Sequence, residues 1–115
     1  PTFMLTHWSR DRAKPLSLSH VVARQTRDTA KQFGLVDRGL LRPGMRADVN
    51  VIDYNNLALD RPKMKWDLPA GGRRLTQRAK GYVATICAGE FIVEDDELTD
   101  ARPGALVRRG RASTS

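Results

Sequence analysis

The sequence contains one cysteine and no long apolar run, and each absence excludes a class of protein. Cys87 has no second cysteine with which to form an internal disulfide, which excludes a small disulfide-stabilised scaffold and favours a reducing cytoplasm. No segment approaches the roughly 18 to 20 consecutive apolar residues of a transmembrane helix. The first residues, PTFMLTHWSRDR, lack a basic segment followed by an apolar one, so they are not a secretory signal. We therefore expect a cytoplasmic protein without a membrane partner.

Motifs of hydrolytic active sites are absent as well. A catalytic zinc ion takes at least three protein ligands, and the only imidazole or thiol groups belong to His7, His20 and Cys87. These residues form no H-x-H, H-E-x-x-H or C-x-x-C pattern, and no serine lies in a G-x-S-x-G elbow. The sequence predicts no catalytic residue and no metal site of its own. His20 is expected on a helix surface, and Cys87 is expected to be a small core residue.

Positive charge is plentiful, with 20 Lys and Arg residues against 13 Asp and Glu residues. Residues 1–46 hold nine cationic side chains against three acidic ones, whereas residues 47–115 hold eleven against ten. The acidic residues of the first half are interspersed among the cations, which is typical of a solvated surface. A nucleic-acid partner is therefore not the favoured prediction. A stand-alone basic module that binds nucleic acid or another anion remains the alternative function.

Two helices are predicted in residues 1–38. The first has Thr2 as its expected N-cap, carries Met4, Leu5 and Trp8 on one face, and ends near residue 13. The second is expected to begin after Ser17, a favourable N-cap, and to end at Gly34 in a Schellman motif. Its predicted apolar stripe follows the α-helical period and comprises Leu18, Val21, Val22, Thr26, Thr29, Ala30 and Phe33.

Strand-like alternation replaces the helical period beyond Gly39. Pro43-Gly44 is typical of a type II turn, and alternation from Ala47 to Ile52 predicts a first strand. A second strand is expected over residues 81–88, joined by a Gly89-Glu90 turn to a third strand over residues 91–94.

Residues 57–78 show no sustained period and are predicted to form a long loop. Its expected apolar anchors are Leu59, Met64, Trp66 and Leu68. The run GGRR within it is interpreted as a tight turn with solvated arginines. The tail RPGALVRRGRASTS is expected to be flexible at its end. The whole pattern predicts an α+β fold with two helices followed by a small antiparallel sheet, too small to stand without further cover.

The order of these motifs resembles the C-terminal part of the amidohydrolase superfamily. QTRDTAKQFG from Gln25 is followed by DRG from Asp37, RPGM from Arg42 and ADVNVID from Ala47. In that superfamily a helix with a Thr-x-x-x-Ala core precedes G-x-L-x-P-G-x-x-A-D, and the chain then enters a small β-sandwich. Within the superfamily, PTFMLTHWSRDR, DLPAGGRR and the Gly89-Glu90 hairpin with PGALVRRG look like N-acyl-D-amino-acid deacylases, or D-aminoacylases, of bacteria.

The resemblance implies a parent enzyme with a (β/α)₈ barrel that holds one or two zinc ions at the C-terminal ends of its strands. A metal-bound water would attack the amide carbonyl of an N-acyl-D-amino acid, with a barrel aspartate as base. Residues 1–38 would be the last helices of that barrel, and residues 39–115 would be part of a composite β-sandwich.

The family's zinc ligands and catalytic aspartate match no position of this chain, which is therefore expected to be a structural, inactive C-terminal fragment that binds no zinc. Its expected partners are the remainder of the parent chain and other copies of itself. His7 and Arg10 are the residues expected to border the substrate pocket.

Overall fold

The computed structural model describes residues 1–108, which form helices followed by antiparallel sheets. The predicted α+β class is confirmed at this level. Residues 109–115, which carry the end of PGALVRRG and of the predicted flexible tail, lie outside the described residues. Among residues 1–108, no helix has both the length and the apolarity needed to cross a bilayer.

The first helix, α1 (Met4–Asp11), has wide π-helical geometry. Leu5 is buried on its inner side, as predicted, whereas Trp8 remains partly exposed. Thr2 is not the N-cap: no side chain caps this helix, and the Thr2 hydroxyl instead shares a 2.7 Å hydrogen bond with the Tyr82 hydroxyl. That bond connects the start of α1 to the sheet. Local sequence preferences do not predict it, because Thr2 and Tyr82 are far apart in the sequence.

The second helix, α2, runs through three consecutive segments, Leu18–Ala23, Arg24–Asp28 and Thr29–Gln32, of which the middle one is π-helical. The Ser17 hydroxyl oxygen accepts the His20 N–H at 3.3 Å, so the predicted N-cap is confirmed. At the other end Gly34 has φ +69°. The Leu35 N–H donates to the Ala30 carbonyl and the Gly34 N–H to the Lys31 carbonyl, which confirms the Schellman motif.

The predicted apolar stripe of α2 is buried only in part. Val21 and Ala30 are buried, but Leu18, Val22 and Phe33 are exposed, Phe33 to 66%. The π-helical segment changes the angular spacing of the side chains, so one α-helical period cannot describe the whole helix. The uncovered part is an apolar helix face against which no other part of residues 1–108 packs.

Residues 1–108 form eight strands in three antiparallel sheets, where the sequence predicted about three strands. A four-stranded sheet has the order β1-β6-β7-β8, and the two-stranded sheets pair β2 with β5 and β3 with β4. The strands are β1 Val49–Ile52, β2 Ala58–Leu59, β3 Lys63–Leu68, β4 Gly72–Thr76, β5 Ala79–Lys80, β6 Tyr82–Cys87, β7 Glu90–Glu94 and β8 Glu97–Leu98.

Residues with positive φ form the two tight turns of the four-stranded sheet. The predicted hairpin is present, but its turn is Ala88-Gly89, with φ +51° and +86°, instead of Gly89-Glu90, since Glu90 already pairs with Cys87 as the first residue of β7. Asp95 and Asp96 form the next tight turn, both with positive φ. The Asp96 carboxylate also accepts the backbone N–H groups of Gly81 and Tyr82, at 3.0 and 2.7 Å. Asp96 therefore has a structural role at this turn.

The predicted loop at residues 57–78 is wrong, because β3 and β4 form a hairpin joined by a 3₁₀ turn at Pro69–Gly71. We call residues 63–76 the hairpin arm. Every residue of β3 is exposed, including the expected anchors Met64, Trp66 and Leu68. The alternation in KMKWDL was the missed signal, since it places lysine and aspartate on one face and apolar side chains on the other.

A small core joins the helices to the sheet. Leu5, Val21 and Leu57 form it, with Val21 and Leu57 each 1% exposed, and Met4, Ile52 and Tyr82 packed around them. The accessible surface is 9021 Å², whereas a compact monomer of this mass exposes about 6,300 Å². The chain thus leaves much of its apolar surface uncovered.

Candidate functional site

The outer side of α1 carries an aromatic cluster around His7. The Phe3 and His7 rings stack with centroids 5.0 Å apart, and Trp8 meets His7 edge-on at 5.5 Å. The Arg12 guanidinium lies over the Trp8 ring at 4.6 Å. Phe3, His7 and Trp8 are exposed, so this surface can meet a ligand or another part of a larger protein.

Arg10, the second predicted pocket residue, contacts the turn after β1. Its guanidinium donates to the Tyr54 and Asn55 carbonyls at 2.6 and 3.3 Å, and it forms a 2.6 Å ion pair with Asp11. The hydrogen bond from Arg10 lowers the pKa of Asp11. The Ser9 hydroxyl shares a further 2.9 Å bond with the Tyr54 hydroxyl. These bonds hold α1 against the sheet, and they give Arg10 a structural role.

The potential metal ligands do not come together. His7 stacks on Phe3, His20 lies in the first turn of α2, and Cys87 accepts an Arg46 N–H at 3.5 Å. Cys87 is partly exposed, so its predicted place in the core is wrong. Across residues 1–108, no three His, Cys, Asp or Glu side chains form a group suited to a metal ion. The described residues therefore do not fit a zinc site.

The most connected polar region is the segment between α2 and β1, residues 37–48, which we call the junction. Arg38 pairs with the buried Asp37 at 3.0 Å and approaches Asp48 at 3.9 Å. The Arg46 guanidinium pairs with Asp48 at 2.9 Å, and the Arg46 backbone N–H donates to the Asp37 carbonyl at 2.7 Å. The two arginines and two aspartates bind the ends of the junction to each other.

Asp48 also attaches the junction to the far end of the sheet. Its carboxylate accepts the Ala88 N–H at 2.9 Å, beside a 3.0 Å bond from the Gly89 N–H to the Ala47 carbonyl. Partial burial acts to raise the pKa of Asp48, but the Ala88 N–H and the Arg46 guanidinium outweigh it, so this pKa lies below its ordinary value. Asp48 is therefore an anchoring carboxylate that stays ionised at neutral pH.

Glycine is required where the junction crosses α2. Gly39 has φ +92°, and a Cβ there would lie 2.9 Å from the Ala30 Cβ and 3.0 Å from the Thr26 carbonyl oxygen. Gly44 takes φ +85° in the predicted type II turn, which the Met45 N–H closes on the Arg42 carbonyl at 3.2 Å. The sequence identified these residues as a motif but gave no role to Gly39 or Asp48, because both roles depend on contacts distant in sequence.

Comparison with known proteins gives one match. The profile of the amidohydrolase family matches residues 2–93, which include α1, α2, the junction and the sheet through most of β7. No curated protein and no solved structure matches the chain significantly. Because the match spans more than half of the sequence in one block, this chain belongs to the amidohydrolase family.

Proposed function

We propose that this chain is the C-terminal part of a zinc-dependent amidohydrolase that cleaves the amide bond of N-acyl-D-amino acids in the bacterial cytoplasm. The family match over residues 2–93 carries the proposal and makes a hydrolase the general function. The family is generally metal-dependent. The D-aminoacylase subgroup rests on the segments PTFMLTHWSRDR and DLPAGGRR.

In this proposal α1 and α2 are the last helices of a (β/α)₈ barrel, and residues 39–115 contribute to a β-sandwich completed by other strands of the same enzyme. The uncovered helix face of Leu18, Val22 and Phe33 supports this arrangement, since a barrel strand or helix would cover it. The small core supports it too, because five buried apolar residues within residues 1–108 are few for a domain of this length.

In this proposal the zinc ligands come from the remainder of the enzyme, because the described residues hold no group of three potential ligands.

We place His7 and Arg10 at the border of the substrate pocket as part of this proposal. His7 presents an exposed ring within the aromatic cluster of α1, whereas Arg10 holds the helix in position through the Tyr54 and Asn55 carbonyls. In the longer enzyme, His7→Asn should raise KM with unchanged stability, and Arg10→Gln should lower the unfolding midpoint. A KM unaffected by His7→Asn would remove His7 from the pocket.

The decisive experiment compares two proteins, the present 115 residues and the product of the reading frame extended upstream of Pro1. Both are assayed with N-acetyl-D-alanine and N-acetyl-L-alanine, and their zinc content is measured. We expect the longer protein to hold zinc and hydrolyse the D-substrate, and the 115-residue chain to do neither.

Three results would contradict the proposal. Stoichiometric zinc and turnover in the 115-residue chain would show that it is a complete enzyme. Preference of the longer protein for the L-substrate would exclude the D-aminoacylase subgroup. A reading frame that begins within a few codons of Pro1 would exclude an upstream barrel.

A further inference from the structure

The charge of the chain is divided between two neighbouring parts of the sheet region. Residues 61–80, which contain the hairpin arm, hold seven Lys or Arg residues and one Asp, a net charge of +6. Residues 81–101 hold six acidic residues and no Lys or Arg, a net charge of −6. The charge count over residues 47–115 sums the two blocks to a value near zero, so neither excess of charge is apparent from it.

The hairpin arm combines this charge with an apolar face. Met64 pairs across the strands with Leu75, and Trp66 follows two residues after Met64 on the alternating strand. Trp66 and Leu75 are each 66% exposed. The opposite face pairs Lys65 with Arg74, which also forms a two-bond ion pair with Asp67 at 2.7 Å. The arm therefore has an aromatic and aliphatic face and, on its other side, a cationic face.

The acidic block is the meander of β6, β7 and β8, and it also exposes apolar side chains. Val83, Phe91 and Leu98 are exposed on it, Leu98 to 77%. Glu90, Glu94 and Glu97 lie along β7 and β8 with exposed side chains. Glu94 pairs with Ala84 and Glu97, whereas Val93 pairs with Thr85 and Leu98, so the glutamates lie on one face of the meander and Leu98 on the other.

The two blocks hardly neutralise each other within one chain. Among the described ion pairs, only Arg78 with Glu97, at 3.4 Å, connects residues 61–80 to residues 81–101. The other ion pairs of the basic block are Arg74 with Asp67 and Lys80 with Asp60. Most of the charge on each surface is thus available to a second molecule.

We propose that the hairpin arm of one chain docks on the acidic meander of a second copy. Charge complementarity selects this occupant, since opposite charges at an interface favour association and set its orientation. Over the whole chain the accessible surface exceeds that of a compact monomer by about 2,700 Å², whereas a standard interface takes about 800 Å² from each partner.

Reciprocal docking would give a closed dimer. If each arm reaches the meander of the other chain, a two-fold axis relates two identical contacts and no surface is left for further growth. The helix face that the proposed function assigns to the barrel takes no part in this contact. The inference goes beyond the proposed function, and in the longer enzyme it requires that the strands proposed to complete the sandwich leave the arm and the glutamates of β7 and β8 uncovered.

Sedimentation equilibrium of the 115-residue chain at 50 and 500 mM NaCl tests the interface with two charge-reversed variants. Lys65→Glu/Arg73→Glu changes the arm, and Glu94→Lys/Glu97→Lys changes the meander. We expect each variant alone to associate at least about tenfold more weakly than the wild type at 50 mM NaCl. An equimolar mixture of the two should recover wild-type affinity within about threefold, because the reversed surfaces complement each other.

Lys14→Glu/Lys31→Glu is the matched control, since it makes the same change of charge at exposed positions outside the arm and the meander, Lys14 in the bend after α1 and Lys31 in α2. It should leave the affinity within about twofold of the wild type. Circular dichroism of all variants should show unchanged secondary structure.

Two outcomes would overturn the inference. The first is association that is insensitive to both reversals, or that the mixture fails to restore, because contacts through the helix face would behave in this way. The second is tighter binding of the arm to single-stranded poly-U RNA than to a second copy, abolished by Lys65→Glu/Arg73→Glu, which would assign the arm to nucleic acid. Loss of hydrolase activity in the longer enzyme would refute the proposed function and leave these measurements unchanged.

Discussion

The junction, residues 37–48, and the hairpin arm, residues 63–76, satisfy their polar groups in different ways. In the junction Asp48 receives hydrogen bonds from Arg46 and from the distant Ala88 N–H. In the arm the ion pair of Asp67 with Arg74 joins two strands of one hairpin and remains exposed. The junction depends on the rest of the fold, whereas the arm is held by its own two strands.

This difference separates residues that hold the fold together from residues that are available for contact. A substitution in the junction breaks bonds among α2, β1 and the β6–β7 turn, so it should reduce the stability of the whole domain. A substitution in the arm replaces a side chain that is largely exposed, so it should change self-association and leave the free energy of unfolding nearly unchanged. The following predictions test that separation in order of decreasing effect on stability.

Gly39→Ala should have the largest effect. The new Cβ would lie 2.9 Å from the Ala30 Cβ, and the backbone would keep a positive φ that alanine disfavours. We expect a loss of about 3 kcal/mol in the free energy of unfolding, measured by urea denaturation. Gly44→Ala is the matched control, because Gly44 has a similar φ and no atom within 4 Å of the added Cβ. It should cost only about 1 kcal/mol, and equal losses at the two positions would exclude crowding at Gly39.

Asp48→Asn should cost about 2 kcal/mol of unfolding free energy, because it weakens charge-assisted bonds to Arg46 and to the Ala88 N–H. Asp67→Asn in the arm is the comparison, and its effect should be below about 0.5 kcal/mol, since its ion pair is exposed. Equal effects at Asp48 and Asp67 would show that the junction and the arm contribute to stability alike.

The contribution of Asp48 should depend on pH in a defined direction. Its pKa is lower in the folded state than the ordinary value of about 3.9. Its stabilisation is therefore fully present above about pH 4 and is lost as the pH falls through the folded-state pKa. The stability difference between wild type and Asp48→Asn, measured by urea denaturation from pH 7 to pH 2.5, should shrink only at the acidic end. A difference that stays constant would contradict this role.

Trp66→Ala should have the smallest effect on stability, below about 0.5 kcal/mol, because the side chain is 66% exposed. It should nevertheless weaken self-association by about tenfold or more, since an exposed tryptophan is a typical interface anchor. Phe33→Ala removes an equally exposed aromatic side chain from the helix face and should leave that association unchanged. The reverse result would assign the interface to the helix face.

Local chemistry made the ends of the elements predictable from the sequence. Ser17, Gly34 and the Pro43-Gly44 turn act through neighbours in the chain, and each has the predicted hydrogen bond or backbone angle. The hairpin of β6 and β7 was predictable for the same reason, because a two-residue turn separates two alternating segments.

Features that depend on distant contacts were not predictable. Thr2 bonds to Tyr82 instead of capping its helix, and Asp48 bonds to Ala88 across the sheet. The hairpin arm was missed for another reason: an exposed strand has no buried face, so its anchors were assigned to packing that does not occur. Of the two predicted site residues, Arg10 has structural contacts that no motif reveals, and the exposed position of His7 became visible only in three dimensions.

The π-helical segment Arg24–Asp28 behaves as an insertion already built into α2. A π turn closes on the residue five positions back instead of four, and the Thr29 hydroxyl reaches the Arg24 carbonyl over that same interval at 2.7 Å. Five π-helical residues cover about the same rotation as four α-helical ones, so the extra residue is absorbed within the turn and Ala30 and the Gly34 terminus keep their direction. Deleting one residue from 24–28 should therefore restore α-helical hydrogen bonding and leave Ala30 packed against Gly39.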